Sequence, residues 1–152
     1  MAGIKRVDLL IVGAGMVGAS LLCALQPVIR SRGLKVAVVE AVPLPDQSDD
    51  SYQPSYDARS TALSWGSSNI LRTMGVGEPL SSHVTPIERI HVSDKGHFGS
   101  VRIRADDYGV EALGFVVENT WLGQVFLQRI EHQTNLSYYC PAQVTDLQPG
   151  HD

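Results

Sequence analysis

Apolar residues fall in short blocks separated by polar stretches rich in glycine and proline, and the spacing within each block predicts its conformation. The apolar run Leu9 to Val12 predicts a strand from about Val7 to Val12, and a helical pattern follows from Met16 through Leu21, Leu22, Leu25 and Val28. Pro27 falls in the last turns of that helix, where its missing N–H predicts a kink or an end. Gly33 is the predicted helix stop, with Arg30 and Arg32 at the negative end of the helix dipole. Lys35 to Glu40 is almost continuously apolar, as a strand buried on both faces must be, and it completes a βαβ unit.

Periodicity is lost from Ala41 to Asp57, where Pro43, Pro45 and Pro54 punctuate an acidic stretch, and residues 44–53 are expected to be a solvated mobile loop. Ser67 or Ser68 is the expected cap of a second helix with Ile70 and Leu71 facing inward and Gly75 as its stop. Residues 78–86 read as a loop or short helix, Ile87 to Ser93 as a strand, and Asp94 to His97 as a hairpin turn. Val101 and Ile103 alternate with Arg102 and Arg104 in the returning strand, an antiparallel pair foreign to a purely parallel sheet. That pair predicts an inserted second layer. Gly114 to Glu118 predicts a strand, Asn119 or Thr120 the cap of a helix to about His132, and Leu136 to Cys140 another strand. Ala142 to Leu147 is expected to begin a further strand, and the turn signal Pro149-Gly150 calls for a partner after it, so the fold reads as incomplete.

Between the first strand and the first helix lies Gly13-x-Gly15-x-x-Gly18. Such a triplet is weak by itself, but here it leaves a strand, opens a helix and is followed by a strand ending in Glu40, 22 residues after Gly18. Gly13 permits the tight turn, Gly15 lets the backbone approach a pyrophosphate, and Gly18 lets the helix lie against the strands. Amides at the helix start, including those of Met16 and Val17, offer unpaired N–H groups to an anion. A carboxylate at Glu40 suits the two ribose hydroxyls of an adenosine and repels a 2′-phosphate. An adenine dinucleotide is the expected ligand.

Composition narrows this picture little. At 43% hydrophobic and 18% charged the chain is of ordinary globular type, and its net charge of -4, without a basic run, argues against nucleic acid. Cys23 and Cys140 lie in apolar surroundings without metal spacing, which fits buried thiols in a reducing compartment. Lys5-Arg6 ahead of the apolar stretch to Ile29 imitates a secretory leader or membrane anchor, but Asp8, the glycines, Gln26 and Pro27 argue against it. Leu21 and Leu22 before Cys23 are likewise not the small residues of a lipoprotein cleavage site.

The glycine motif and Glu40, together with Asp57-Ala-Arg59-Ser60-Thr-Ala-Leu, the segment from His91 to Gly99 and Val117-Glu118-Asn119, resemble one family along essentially the whole chain. These residues are similar to the flavoprotein aromatic hydroxylases of ubiquinone biosynthesis, above all the 2-polyprenyl-6-methoxyphenol hydroxylase type, and through them to p-hydroxybenzoate hydroxylase. The resemblance implies an α/β, Rossmann-like FAD-binding βαβ fold carrying an inserted antiparallel hairpin. Residues 1–152 would be the N-terminal part of an FAD-binding domain, with 84–116 the start of an inserted substrate-domain sheet. Leu136 to Cys140 would return as a third parallel strand beside the second. Family members are longer and carry an Asp-Gly and a later Gly-Asp element that close on the flavin; neither occurs here.

The activity implied is monooxygenation of the aromatic ring of a polyprenyl phenol by a C4a-hydroperoxyflavin, with FAD as cofactor and NAD(P)H and O2 as co-substrates. The cofactor carries the hard chemistry, so no catalytic side chain is identifiable in the sequence. By the same resemblance Arg59 lies along the FAD near pyrophosphate and ring, with Ser60 a neighbouring contact; an ion pair of Arg59 with Asp57 is the plain alternative. Asn119 and Gln124 fall where family members place polar groups toward the flavin, although a helix cap explains Asn119 equally well and some relatives have Arg in place of Gln124. Val144 resembles a position whose backbone contacts adenine. His91 and His97 lack a third ligand at metal spacing, so no metal is expected, and Trp65 and Trp121 read as packing residues. Expected partners are the phenol substrate and a ubiquinone-biosynthesis complex, with a cytoplasmic location or a peripheral one at the inner membrane. An NAD-dependent dehydrogenase and a non-catalytic adenine-dinucleotide-binding module are the rival readings.

Overall fold

The first strand, β1 (Leu9–Val12), pairs in parallel with β2 (Val36–Val39), and helix α1 (Met16–Arg32) makes the crossover between them. The computed structural model describes residues 4–43, 56–131, 133 and 135–150. The expected loop at residues 44–53 lies outside these. Asp8 ties the two strand starts together: its N–H donates to Lys35 O (2.8 Å), and its carboxylate accepts the Lys35 N–H (2.7 Å). At the far end of α1, Gly33 adopts φ 64°, and Leu34 N–H donates to Ile29 O (3.0 Å), closing the helix as a Schellman turn. Pro27 neither ends nor interrupts α1, which runs on to Arg32.

The chain divides into two compact units, residues 1–57 with 126–152, and residues 58–125. In the first, β8 (Leu136–Tyr139) adds in parallel to β2, giving the order β1-β2-β8 and bearing out the expected third parallel strand. Val36 and Val38 in the central strand are sealed from solvent, as are Leu22 and Cys23 on α1. Complete burial of one such aliphatic side chain stabilises a fold by about 1.5–3 kcal/mol, so this strand and helix face dominate the unit's core. Ala142 N–H donates to Glu40 O (2.8 Å), but residues 141–150 form no strand, contrary to the expectation for 142–147.

The second unit is antiparallel throughout. Strand β3 (Ser60–Ser64) pairs with β7 (Gly114–Glu118), which pairs on its other side with β4 (Val84–Ile87). The single strand expected at 87–93 is therefore two, β4 in this sheet and β5 (Arg89–Ser93) in a hairpin with β6 (Ser100–Arg104). Helix α2 (Trp65–Thr73) is capped by Ser64, whose Oγ accepts the Ser67 N–H (3.1 Å), not by Ser67 or Ser68. Ile70 is turned outward (61% exposed), against the expectation that it faces the core. A short helix α3 (Gly77–Leu80) follows, and α4 (Asn119–Glu131) leaves β7 directly, with the boundary between the units falling inside it.

Candidate functional site

The turn from β1 into α1 is held by backbone and buried side-chain contacts together. Gly13 adopts φ 94°, open to glycine at no steric cost, and its N–H donates to Val39 O (2.8 Å), docking the turn on the end of β2. A β-carbon on Gly18 would collide with the Gly13 carbonyl oxygen and crowd Ile11. The helix therefore starts so close to the strand that only glycine fits there.

Glu40 fixes the same turn from the other side. Its carboxylate is buried, with Oε2 accepting the Ala14 N–H (2.6 Å) and Oε1 the Val42 N–H (2.8 Å). A peptide's N–H and the preceding C=O point opposite ways across a planar unit, so holding Ala14 N–H toward Glu40 sends Gly13 C=O toward Gly18. Carboxylate position and glycine requirement are thus one geometric fact. A carboxylate has about four acceptor lobes, so two remain for ribose hydroxyls after these amides are satisfied. The residues fit an adenine nucleotide.

Two tyrosines complete the surroundings. Tyr56 is buried and its hydroxyl donates to Ala14 O (2.7 Å); burial above all, then the nearby Tyr138, Glu40 and Cys23, raises its pKa well above the ordinary value. Tyr138 on β8 is raised likewise, by burial first and then by Cys140 and Glu40, but its buried hydroxyl has no hydrogen-bond partner among the described residues. Cys23 on α1 is pushed up to about 11 by burial, against the opposing charge of Arg129, and stays a thiol at neutral pH. Neither tyrosine stood out in the sequence: Tyr56 acts on a backbone carbonyl that no motif marks, and Tyr138 reads as an ordinary strand residue.

The remaining expected residues divide by unit. Gly13, Gly15, Met16, Val17, Gly18 and Glu40 share the first unit; Met16 and Val17 open α1, whose first amides lack intrahelical acceptors, and Val17 is largely exposed. Val144 also belongs to this unit, half-buried in the irregular stretch after β8. Arg59, Ser60, Asn119 and Gln124 belong to the second. There Asn119 N–H donates to Arg59 O (2.8 Å), and Thr61 Oγ1 donates to the buried Asn119 Oδ1 (2.6 Å), joining the start of β3 to the start of α4. Ser60 is exposed opposite Glu118 in the β3–β7 register, and Gln124 is exposed on α4. His83 stacks on Trp121 (centroids 3.5 Å apart), Trp65 packs on Phe115, and His97 pairs with Asp94 (2.8 Å) in the hairpin turn.

No protein-family profile matches the chain. Among curated proteins it is 30% identical over 146 residues to the uncharacterized protein slr1300 of Synechocystis, covering 96% of this chain and 33% of that protein. It is 29% identical to ubiquinone hydroxylase UbiL of Rhodospirillum rubrum, covering 94% and 31%, and 30% identical to the 3-demethoxyubiquinol 3-hydroxylase of Escherichia coli, covering 92% and 34%. The chain thus spans about a third of the length of these relatives. Among solved structures, p-nitrophenol 4-monooxygenase PnpA of Pseudomonas putida superposes with TM-score 0.72 at 13% identity, over 98% of this chain and 35% of that one. The flavin-dependent monooxygenase PieE, solved with FAD and substrate, gives TM-score 0.62 at 17% identity, over 91% and 24%. The fold is that of FAD-dependent monooxygenases, and the sequence relatives bear out the resemblance to ubiquinone-biosynthesis hydroxylases.

Proposed function

We propose that the first unit binds the ADP half of FAD, and that the protein carrying this chain is a flavin-dependent monooxygenase hydroxylating the ring of a polyprenyl phenol in ubiquinone biosynthesis. The observation that carries the reading is the buried Glu40 carboxylate bound to Ala14 N–H within the glycine turn. It joins the ribose-binding carboxylate to the phosphate-binding loop, and the names of the relatives supply the reaction class. Gly13 and Gly18 shape the turn, and Gly15 with the first amides of α1, at Met16 and Val17, receives the pyrophosphate. Glu40 takes the ribose hydroxyls through its free lobes, and its negative charge disfavours a 2′-phosphorylated ligand.

When bound, the flavin supplies the redox chemistry with NAD(P)H and O2. Arg59, Ser60, Asn119 and Gln124 are proposed as its contacts from the second unit, and Val144 as a backbone contact to adenine. Arg59 would lend a permanent charge to the phosphates or to reduced flavin. No helix among the described residues is long and apolar enough to cross a membrane; delivery of a polyprenyl substrate through peripheral association or a biosynthetic complex is part of the same proposal. The test is to purify the protein that carries this chain with FAD and follow NAD(P)H oxidation and phenol hydroxylation. Yellow protein with a flavin spectrum and ring-hydroxylated product is expected. Colourless protein that binds NAD but not FAD would contradict the reading.

A further inference from the structure

Ala14 is completely buried, and both of its backbone polar groups are held by side chains from distant segments, its N–H by Glu40 and its C=O by Tyr56. The peptide joining Ala14 to Gly15 is planar, so fixing its C=O direction fixes its N–H direction as well, the two pointing opposite ways. Gly15 caps α1, and its N–H belongs to the group of amides that meets an anion at this helix start. We propose that Tyr56 is the positioning residue that aims the Gly15 N–H at the ligand's pyrophosphate; this rests on the dinucleotide reading above.

The need for such a residue follows from the loop's own composition. Gly15 lacks a β-carbon, which lets a phosphate approach, but that same lack opens positive φ to it. A flip of the Ala14–Gly15 peptide, by rotation about Ala14 ψ and Gly15 φ, is therefore sterically cheap. The flip would turn the carbonyl toward the ligand and the N–H inward, replacing a donor by an acceptor where negative charge must sit. In the observed arrangement a flip breaks the Tyr56–Ala14 hydrogen bond inside the protein (2.7 Å) and leaves the phenol hydroxyl without its acceptor. Glu40 holds the preceding peptide but exerts no direct hold on this one. Tyr56 performs the second fixation.

The test compares Tyr56→Phe with the unchanged 152-residue chain, titrated with ADP and with adenosine. The substitution removes only the hydroxyl and keeps the buried ring. A positioning role predicts that ADP affinity falls about tenfold, the scale of one lost hydrogen bond, while adenosine affinity stays within about twofold. A merely structural role would weaken both ligands alike, and that result, or unchanged affinity for both, overturns the proposal. Should the variant not fold, amide NMR of the unchanged chain decides: the Gly15 N–H resonance must shift with ADP and not with adenosine, and its failure to do so overturns the proposal. An unchanged chain that binds neither ADP nor FAD refutes the dinucleotide reading and this inference with it; ADP binding that Tyr56→Phe leaves intact refutes the Tyr56 role alone.

Discussion

The two three-stranded sheets, β1-β2-β8 and β3-β7-β4, are the same size, yet they handle their candidate ligand groups in opposite ways. In the parallel sheet the groups are largely backbone amides, aimed by a buried carboxylate and a buried phenol. In the antiparallel unit they are side chains, and Arg59, Ser60 and Gln124 are all exposed. Backbone amides on a packed turn lose little entropy on meeting a ligand, whereas exposed side chains must each be ordered. The first arrangement suits firm anchoring of an invariant moiety such as ADP, and the second suits contacts whose chemistry varies from one relative to another. Both sheets nonetheless depend on one glycine at a point of closest approach. A β-carbon on Gly18 would strike the Gly13 carbonyl, and one on Gly114 would strike the Leu63 carbonyl across the β3–β7 ladder.

Substitution at these two glycines tests that shared dependence and gives the largest expected effect. Gly18→Ala and Gly114→Ala should each destabilise their unit by on the order of 3 kcal/mol, read by denaturant unfolding. Only Gly18→Ala should also abolish nucleotide binding at a temperature where both variants remain folded; equal loss in both would erase the contrast. Glu40→Gln comes next. It sets an amide N–H2 against one of two backbone donors, and about 2 kcal/mol of stability should be lost along with ribose-dependent affinity. Retention of full stability would mean that the carboxylate does not brace the turn.

In the antiparallel unit the corresponding local brace is the cap of α2. Ser64→Ala should cost about 1 kcal/mol without changing nucleotide affinity, since the lost hydroxyl accepts the Ser67 N–H and donates to Ser67 Oγ, both local to the cap. The smallest effect is expected at Tyr138. Its hydroxyl is buried without a partner among the described residues, so Tyr138→Phe should be neutral or stabilise by up to about 1 kcal/mol, as a rise in thermal midpoint. A clear loss of stability would show that the hydroxyl has a partner after all.

The parallel unit was readable from the residues because its signals are local and concordant. A glycine turn, a 17-residue largely apolar helix and a continuous apolar strand follow one another within Leu9–Val39. The antiparallel unit was less so. Strand β3 is Ser-Thr-Ala-Leu-Ser, too polar and short to stand out, and its partner β7 lies some fifty residues further on, a pairing that no local window contains. Ser67 and Ser68 were the caps expected from the residues, but the extended backbone at Ser64 starts α2 earlier, with Ser64 Oγ accepting the Ser67 N–H. At Ala142–Leu147 the expected strand did not form, since a strand needs a neighbour to bond with and none lies alongside among the described residues. Within the site, the glycines and Glu40 were legible as a motif. Ala14 and Tyr56 were not, because Ala14 acts through its backbone and Tyr56 through a contact across 42 residues.

The central claim is that the β1–α1 turn and Glu40 together receive an ADP moiety with free ribose hydroxyls. Titration of the chain with ADP-ribose and with its 2′-phosphorylated form measures this directly, without requiring turnover. Saturable binding of ADP-ribose, weakened at least about tenfold by the 2′-phosphate through repulsion from the Glu40 carboxylate, is the predicted result. Equal affinity for the two ligands, or no saturable binding of either, would contradict it.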